Sequence, residues 1–245
     1  MSQAVPTIGI LGFGAFGRLM AQHLLARFEL LVHDPAATDD AKGMVTLTDL
    51  ATAAACPMVI LAMPVDRMAE AIAEASPHLT PGAVVIDVGS VKVLPAQLML
   101  EGLAAHVDIV GCHPLFGPQS ARDGLVGLRI AVCPVRGAKS AWRTAAFCRR
   151  VLGLKVFVTT PEDHDREAAV VQGLTHLIAK VLMAMEPLPD RMTTASFERL
   201  MQAVEMVRHD SPAVFMAIER DNPFAAETRR RFFDLAEEVR AALDH

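Results

Sequence analysis

The stretch TIGILGFGAFG (residues 7–17) is the strongest indication of how this chain folds. Its apolar, β-branched beginning predicts a strand, and Gly12, Gly14 and Gly17 follow at the spacing G-x-G-x-x-G. Ala15–Arg27 then has the apolar spacing of a helix. In this setting the first glycine permits a tight turn, the second admits a pyrophosphate, and the third lets the helix approach the strand. The stretch therefore predicts a dinucleotide-binding βαβ unit.

A second predicted strand, Glu29–His33, follows this helix and leads directly into an acidic residue, Asp34. Asp34 lies 22 residues beyond Gly12. A carboxylate at this place accepts hydrogen bonds from the adenosine ribose and repels a 2′-phosphate, which favours NAD over NADP. Asp34 also suits a turn before the next proline, and the pattern leaves that alternative open. The residues assigned to the cofactor in this part of the chain are Gly12, Phe13, Gly14, Ala15, Phe16, Gly17 and Asp34.

Short apolar runs alternate with alanine-rich stretches over the first two thirds of the chain. The predicted strands are Thr7–Leu11, Glu29–His33, Met58–Ala62, Val84–Val88, Val107–Val110, Leu128–Val132 and Lys155–Val158. The predicted helices are Ala15–Arg27, Leu47–Ala55, Val65–Ala75, Pro95–Leu103 and Ala138–Leu152. Strands that alternate with helices indicate βαβ units and a doubly wound, mainly parallel sheet.

After Pro161 the strand pattern stops. The predicted helices there are Glu162–Met185, Ser196–Arg208, Pro212–Arg220 and Pro223–Leu243. Two of them follow a segment, Asp210-Ser211-Pro212 or Asp221-Asn222-Pro223, that sets a capping residue before a proline. We therefore predict an α/β domain over residues 1–160 and an all-helical domain over residues 161–245.

Several polar residues follow the predicted strands, at the sheet edge where doubly wound proteins bind ligands. Met63–Pro64 and Gly89 are assigned to the cofactor. His113 follows the fifth strand and carries an imidazole that exchanges a proton near neutral pH, so it is the candidate acid–base group. The Ser90 hydroxyl is suited either to hydrogen-bond the substrate or to serve as the N-cap of the next helix. Lys92 suits either a substrate carboxylate or a solvated surface position.

Composition excludes several classes of function. Hydrophobic residues make up 52% of the chain and the formal net charge is −5, which disfavours disorder and nucleic-acid binding. The four cysteines have no C-x-x-C spacing, so we expect no metal site, no disulfide framework and a reducing, cytoplasmic location. The apolar segment Ala168–Met185 is interrupted by polar residues, so we expect no membrane span.

Five segments of the chain resemble one family. They are GFGAFG (12–17), DVGSVK (87–92), GCHPLFGP (111–118), QGLTH (172–176) and, more loosely, TASFE (194–198). In order and spacing they are similar to prephenate and arogenate dehydrogenases, the oxidative decarboxylases of tyrosine biosynthesis. The resemblance implies a Rossmann-type domain followed by a helical domain that forms a homodimer through its C-terminal helices.

The same resemblance implies roles for individual residues. His113 matches the family's catalytic histidine, and Ser90 matches a serine that positions the substrate hydroxyl. Gln172 and Thr175–His176 fall on a helix that faces the substrate. Arg199 is the candidate for an arginine that binds a substrate carboxylate, with Arg191 and Arg208 as alternatives. The implied reaction is the NAD-dependent oxidative decarboxylation of prephenate to 4-hydroxyphenylpyruvate, of arogenate to tyrosine, or of both.

Two other functions fit the residues. A β-hydroxyacid-type dehydrogenase of the same two-domain layout places a lysine on its long helix, and Lys180 lies on the predicted long helix. A nucleotide-binding homologue without turnover is the second alternative. His113, Ser90 and the glycines favour an enzyme.

Overall fold

The computed structural model describes residues 5–37, 43 and 45–244, and the chain forms two compact units, residues 1–162 and 163–245. The first unit carries an eight-stranded sheet over its described residues. Its strands are β1 (Thr7–Leu11), β2 (Glu29–His33), β3 (Thr46–Leu47), β4 (Met58–Leu61), β5 (Val84–Asp87), β6 (Asp108–Pro114), β7 (Arg129–Arg136) and β8 (Lys155–Val158). Its α-helices are α1 (Ala15–Leu24), α2 (Leu50–Ala54), α3 (Met68–Ala75), α4 (Val93–Gly102) and α5 (Ala138–Arg150).

The strand order is β3-β2-β1-β4-β5-β6-β7-β8, and every neighbouring pair is parallel except β6 and β7. From the boundary between β1 and β4, successive strands of the chain are therefore added toward each of the two sheet edges. This is the doubly wound, Rossmann-like arrangement predicted from the alternation of strands and helices.

Each face of the sheet carries its own apolar core, as expected for parallel strands that are covered on both sides. Successive residues of a strand point to opposite faces, so Ile60 and Leu61 enter different clusters. One cluster includes residues of α1 and α5, and the other includes residues of α2, α3 and α4. These helices close the sheet from solvent and hold the strand ends in fixed relative positions.

The structure extends two predicted strands and adds one. β6 continues to Pro114 and β7 continues to Arg136, because the two strands pair antiparallel, from Ile109 with Arg136 to Pro114 with Ile130. His113 consequently lies within β6 and not after it. β3 was not predicted, since its two residues carry no apolar run, and only pairing with β2 makes them a strand.

The second unit is helical in all its described secondary structure, as predicted. α6 (Pro161–Ala184) leads into it and is followed by α7 (Ala195–Val207), α8 (Pro212–Met216), a π-helical turn (Ala217–Asp221) and α9 (Ala225–Leu243). The side chains of Thr194 and Ser211 cap α7 and α8. Among the described residues α6 alone has the length and apolar composition of a membrane span, a weak signal because core helices share it.

Candidate active site

The reversal of strand order places the carboxyl ends of β1, β2 and β4 side by side. The Gly12 amide donates to the carbonyl of His33 at 2.9 Å, and the Ala62 amide donates to the carbonyl of Leu11 at 2.8 Å. A crevice outside such strand ends is where open α/β sheets bind their ligands.

The three glycines of the loop have different surroundings. Gly12 has a φ of +97°, and a Cβ there would lie 2.6 Å from the carbonyl oxygen of Ala62. A Cβ on Gly17 would lie 2.6 Å from the carbonyl oxygen of Gly12, so α1 approaches the loop too closely for a side chain. A Cβ on Gly14 would meet nothing within 4 Å, and this residue is exposed. Two glycines therefore shape the loop, and the third leaves open space beside the backbone.

The N-terminus of α1 suits an anion. Gly14 occupies the N-cap position without a side-chain hydrogen bond, and the first turn holds no acidic residue. The first amide groups of such a helix point at a ligand and carry a partial positive charge. The open space beside Gly14 and the exposed Ala15 therefore fit the pyrophosphate of a dinucleotide.

The aromatic side chains of the loop serve mainly as packing. Phe13 is buried in the core, so only its backbone is available to a cofactor. Phe16 is half-buried and its ring centroid lies 6.3 Å from that of Phe116, in the segment after β6. The predicted contact of Phe13 with the cofactor is thus restricted to main-chain atoms.

Asp34 ties the glycine loop to the end of β2. One carboxylate oxygen accepts from the Phe13 amide at 2.5 Å and the other from the Ala36 amide at 2.7 Å. The turn-forming role and the predicted cofactor role coexist, because each carboxylate oxygen has a second lone pair that can accept from a ribose hydroxyl. Met63–Pro64 follow β4 and Gly89 follows β5, so the other assigned cofactor residues lie at the same sheet edge.

Ser90 and His113 are carried by neighbouring strands. Asp87, the last residue of β5, pairs in register with Gly111 of β6, so Ser90 and His113 lie three and two residues beyond one register pair. His113 is buried, whereas Ser90 is half-buried. The N-cap of α4 is Lys92, so Ser90 does not cap that helix and its hydroxyl is not used there.

The structure contradicts the prediction that Lys92 binds a substrate carboxylate. Its side chain is fully buried, and its ammonium donates to the carboxylate of Asp87 and, at 2.7 Å, to the carbonyl of Cys112. A lysine that is buried and paired in this way has no surface to offer a ligand. The DVGSVK segment alone did not indicate that Lys92 is buried, because one of its acceptors, the carbonyl of Cys112 on β6, is 20 residues away in the sequence.

The cysteines lie in the interior of the protein. All four are free and buried. Burial raises the pKa of the Cys112 thiol well above its usual value and that of Cys148 to about 11, which leaves them protonated at neutral pH. Within the described ranges no group of three or more His, Cys, Asp or Glu side chains is arranged to hold a metal ion.

In the second unit, His176 bonds at both ring nitrogens. Nδ1 lies 2.9 Å from the carbonyl oxygen of Gln172, and Nε2 lies 3.1 Å from a carboxylate oxygen of Asp210. Both oxygens are acceptors, so the ring donates from whichever nitrogen carries a proton. His176 is buried and Asp210 is exposed, so the pair presents its carboxylate to solvent.

The contact between His176 and Asp210 was not predicted, because the sequence analysis interpreted Asp210 as part of a helix start. The cap is Ser211, whose hydroxyl accepts from the Val214 amide, and this leaves the aspartate for His176. Thr175 donates to the carbonyl of Val171 in its own helix at 2.7 Å. The sequence did contain one signal for a free aspartate here: Asp210 precedes a Ser-Pro pair in which the serine can serve as the cap.

The candidate arginines differ in their surroundings. Arg208 donates to Glu186 and Glu205, and the hydrogen bond from Arg208 lowers the pKa of Glu186. Arg208 is therefore committed to these glutamates. Arg191 and Arg199 are exposed, and Arg199 lies on α7.

A doubly wound sheet, a glycine loop open to a pyrophosphate and a buried histidine at the same sheet edge define a class, the dinucleotide-dependent oxidoreductases. Residues 35–142 match the family model of the prephenate dehydrogenase nucleotide-binding domain. Together with the relatives below, this match shows that the chain is similar to prephenate and arogenate dehydrogenases.

Two relatives illustrate the similarity. Arogenate dehydrogenase 2 of Arabidopsis thaliana chloroplasts is 29% identical over 251 residues, which cover 96% of this chain and 69% of that protein. A probable arogenate/prephenate dehydrogenase of Methanocaldococcus jannaschii is 27% identical over 192 residues, 74% of this chain. The chain spans 42% of the archaeal protein's length, so much of that relative has no counterpart here.

Solved structures support the fold. Prephenate dehydrogenase from A. aeolicus, in complex with hydroxyphenyl propionate and NAD+, superposes with a TM-score of 0.77 at 21% identity. The match covers 99% of this chain and 92% of that one. Arogenate dehydrogenase from Synechocystis superposes with a TM-score of 0.62 at 21% identity, over 97% of this chain.

Proposed function

We propose that the protein is an NAD-dependent dehydrogenase that oxidatively decarboxylates arogenate to tyrosine. The observation that carries the choice of substrate is the pair of His176 and Asp210. An α-amino acid head group carries an ammonium beside its carboxylate, and the exposed carboxylate of Asp210 complements that ammonium. The keto acid side chain of prephenate has no ammonium, and its carboxylate would be repelled by Asp210. The 96% coverage by a relative named arogenate dehydrogenase supports the same choice.

NAD, when bound, supplies the acceptor for the hydride that leaves ring C4. In this proposal His113 accepts the proton of the hydroxyl on the same carbon, so that the C–O bond can become a carbonyl. Ser90 hydrogen-bonds that oxygen. Loss of the ring carboxylate as CO2 then returns the bond pair to the ring, and the resulting phenolate recovers the proton from His113. The products are tyrosine, CO2 and NADH.

The remaining assignments follow the same scheme. Asp34 favours NAD over NADP, since a 2′-phosphate beside its carboxylate would be repelled. Arg199 is proposed to bind the ring carboxylate, because its guanidinium is exposed. Gln172 and Thr175 are proposed to face the substrate from α6. A cytoplasmic location fits four free, buried cysteines.

We further propose that the second unit mediates a homodimer. It exposes apolar side chains that a monomer leaves in water, and these include Met185, Met206, Val239 and Leu243, each at least 57% exposed. Val239 and Leu243 are four residues apart on α9 and therefore lie on the same face of that helix, where a second copy could cover them.

A dimer has twice the chain mass of 26.4 kDa, and light scattering at micromolar concentration is expected to report that value. The double change Val239→Asp and Leu243→Asp is expected to give the single-chain mass, because two charges would enter the apolar surface. Glu238→Gln on the same helix serves as the control. A single-chain mass for the unmodified protein would refute the dimer.

The cofactor assignment is tested by Asp34→Ala. NAD binding is expected to weaken, since the Phe13 amide loses its acceptor, and the ratio of NADP to NAD affinity is expected to rise by about tenfold as the repulsion disappears. Isothermal titration with both cofactors measures this. Glu29→Ala, at the opposite end of β2, should leave the ratio unchanged. An unaltered ratio in Asp34→Ala would remove this carboxylate from cofactor discrimination.

The role of His113 is tested by His113→Asn. Turnover of arogenate is expected to fall by roughly two to four orders of magnitude, because no proton acceptor remains at the hydroxyl, while NAD affinity stays the same. NADH absorbance and cofactor titration give the two readouts. His106→Asn, an exposed histidine of the same unit, is the matched control. Turnover near the unmodified rate in His113→Asn would assign the histidine to structure alone.

Substrate choice is tested by Asp210→Asn. The kcat/KM for arogenate is expected to fall by about 10- to 100-fold through loss of an ionic contact, and that for prephenate is expected to rise as a repulsion is removed. Assays with both substrates measure the exchange. Asp234→Asn, an exposed residue of α9, should change neither value. A proportional fall with both substrates would contradict the role of Asp210 in specificity.

A further inference from the structure

The segment Asp87–Lys92, here called the DVGSVK turn, is closed by a buried ion pair. The carboxylate of Asp87 accepts from the Gly89 amide at 2.9 Å and pairs with the ammonium of Lys92. Neither side chain is exposed to solvent. Ser90 lies between the two charged residues, so its backbone is held at both ends.

The same ammonium reaches the neighbouring strand. It donates to the carbonyl of Cys112 at 2.7 Å, and this carbonyl belongs to the peptide bond that leads into His113. A Cβ on Gly111 would lie 3.2 Å from Cδ of Lys92 and 3.4 Å from a carboxylate oxygen of Asp87. The lysine therefore passes through a tightly packed gap and joins the turn that carries Ser90 to the strand that carries His113.

Stability gives no clear reason for a charged pair at this place. Moving two charges out of water costs several kcal/mol each, and replacing such a pair with apolar residues of similar volume is often neutral or stabilising. What an apolar pair cannot provide is the directional bond to a particular carbonyl. The pair fixes one geometry, and catalytic groups need such fixing within about 0.5 Å.

We propose that Asp87 and Lys92 are positioning residues, which set the location of Ser90 relative to His113 and do not touch the substrate. This inference rests on the proposed function, in which His113 accepts the hydroxyl proton and Ser90 bonds the same oxygen. It also replaces the direct substrate role that the sequence suggested for Lys92.

The test is the double variant Asp87→Leu and Lys92→Met, which removes both charges and leaves none unpaired. It is expected to fold, to bind NAD within about threefold of the unmodified protein, and to lose roughly 100-fold in kcat with a small change in KM for arogenate. Ser90→Ala is expected to lower kcat in the unmodified protein and to cost little more in the double variant, because its alignment is already lost.

A matched control is Gln97→Ala with Glu101→Ala, which removes an exposed side-chain hydrogen bond of 2.9 Å on α4. All the measured values should remain unchanged in it. If the double variant does not fold, Asp87→Asn with Lys92→Gln replaces it, since the two amides keep hydrogen-bonding groups at both positions and leave no unpaired charge. It is expected to lower kcat in the same direction by a smaller factor.

The outcomes separate the possibilities. A rise in KM with kcat preserved would return Lys92 to substrate binding and overturn the proposal, as would a full, independent effect of Ser90→Ala in the double variant. If the unmodified protein oxidises neither arogenate nor prephenate, the proposed function fails, and the histidine NMR spectrum then decides. The signals of His113, assigned by their loss in His113→Asn, are expected to shift in the double variant and not in the control. Unshifted signals would overturn the proposal.

Discussion

Two backbone hydrogen bonds, from Gly12 to His33 and from Ala62 to Leu11, hold the ends of β2, β1 and β4 together. They are possible because β1 pairs in parallel with β2 on one side and with β4 on the other. The strands that precede and follow this point in the chain lie on opposite sides of β1 in the sheet. The chain turns at Gly12 with a φ of +97°, and α1 begins three residues later at Ala15. The open space at Gly14 is a consequence of that arrangement.

Much of the first unit was predictable because apolar periodicity and glycine spacing are local signals. Seven of the eight strands and all five α-helices of the first unit's described residues were expected from pattern alone. The end of β6 was not, since its extension to Pro114 depends on antiparallel pairing with β7, a contact between distant segments. Pairing between distant segments is not visible in the hydrophobic pattern of either strand alone.

The candidate site was predictable in its residues at strand ends and less so in their contacts. Asp34 and His113 were assigned to the candidate site because strand ends at a switch point are where ligands bind. Lys92 was misassigned, since exposure of a lysine depends on neighbours that only the fold supplies. Asp210 was missed because Asp and Ser are both good caps, and the structure uses Ser211 for that purpose. Sequence identifies groups able to do chemistry, and the fold decides which are already engaged.

Charged residues of the two units have different proposed roles: one pair in the first unit positions other residues, and one carboxylate in the second unit contacts the substrate. The pair of Asp87 and Lys92 has no net charge, so it can fix the peptide before His113 without adding a field that would oppose the proposed uptake of a proton by that histidine. An unpaired lysine at the same place would raise the cost of an imidazolium nearby. Asp210 is the opposite case, because its carboxylate is exposed and its partner His176 is buried behind it. A fully buried pair suits positioning, and a partly exposed carboxylate suits the proposed selection of a substrate that carries an ammonium.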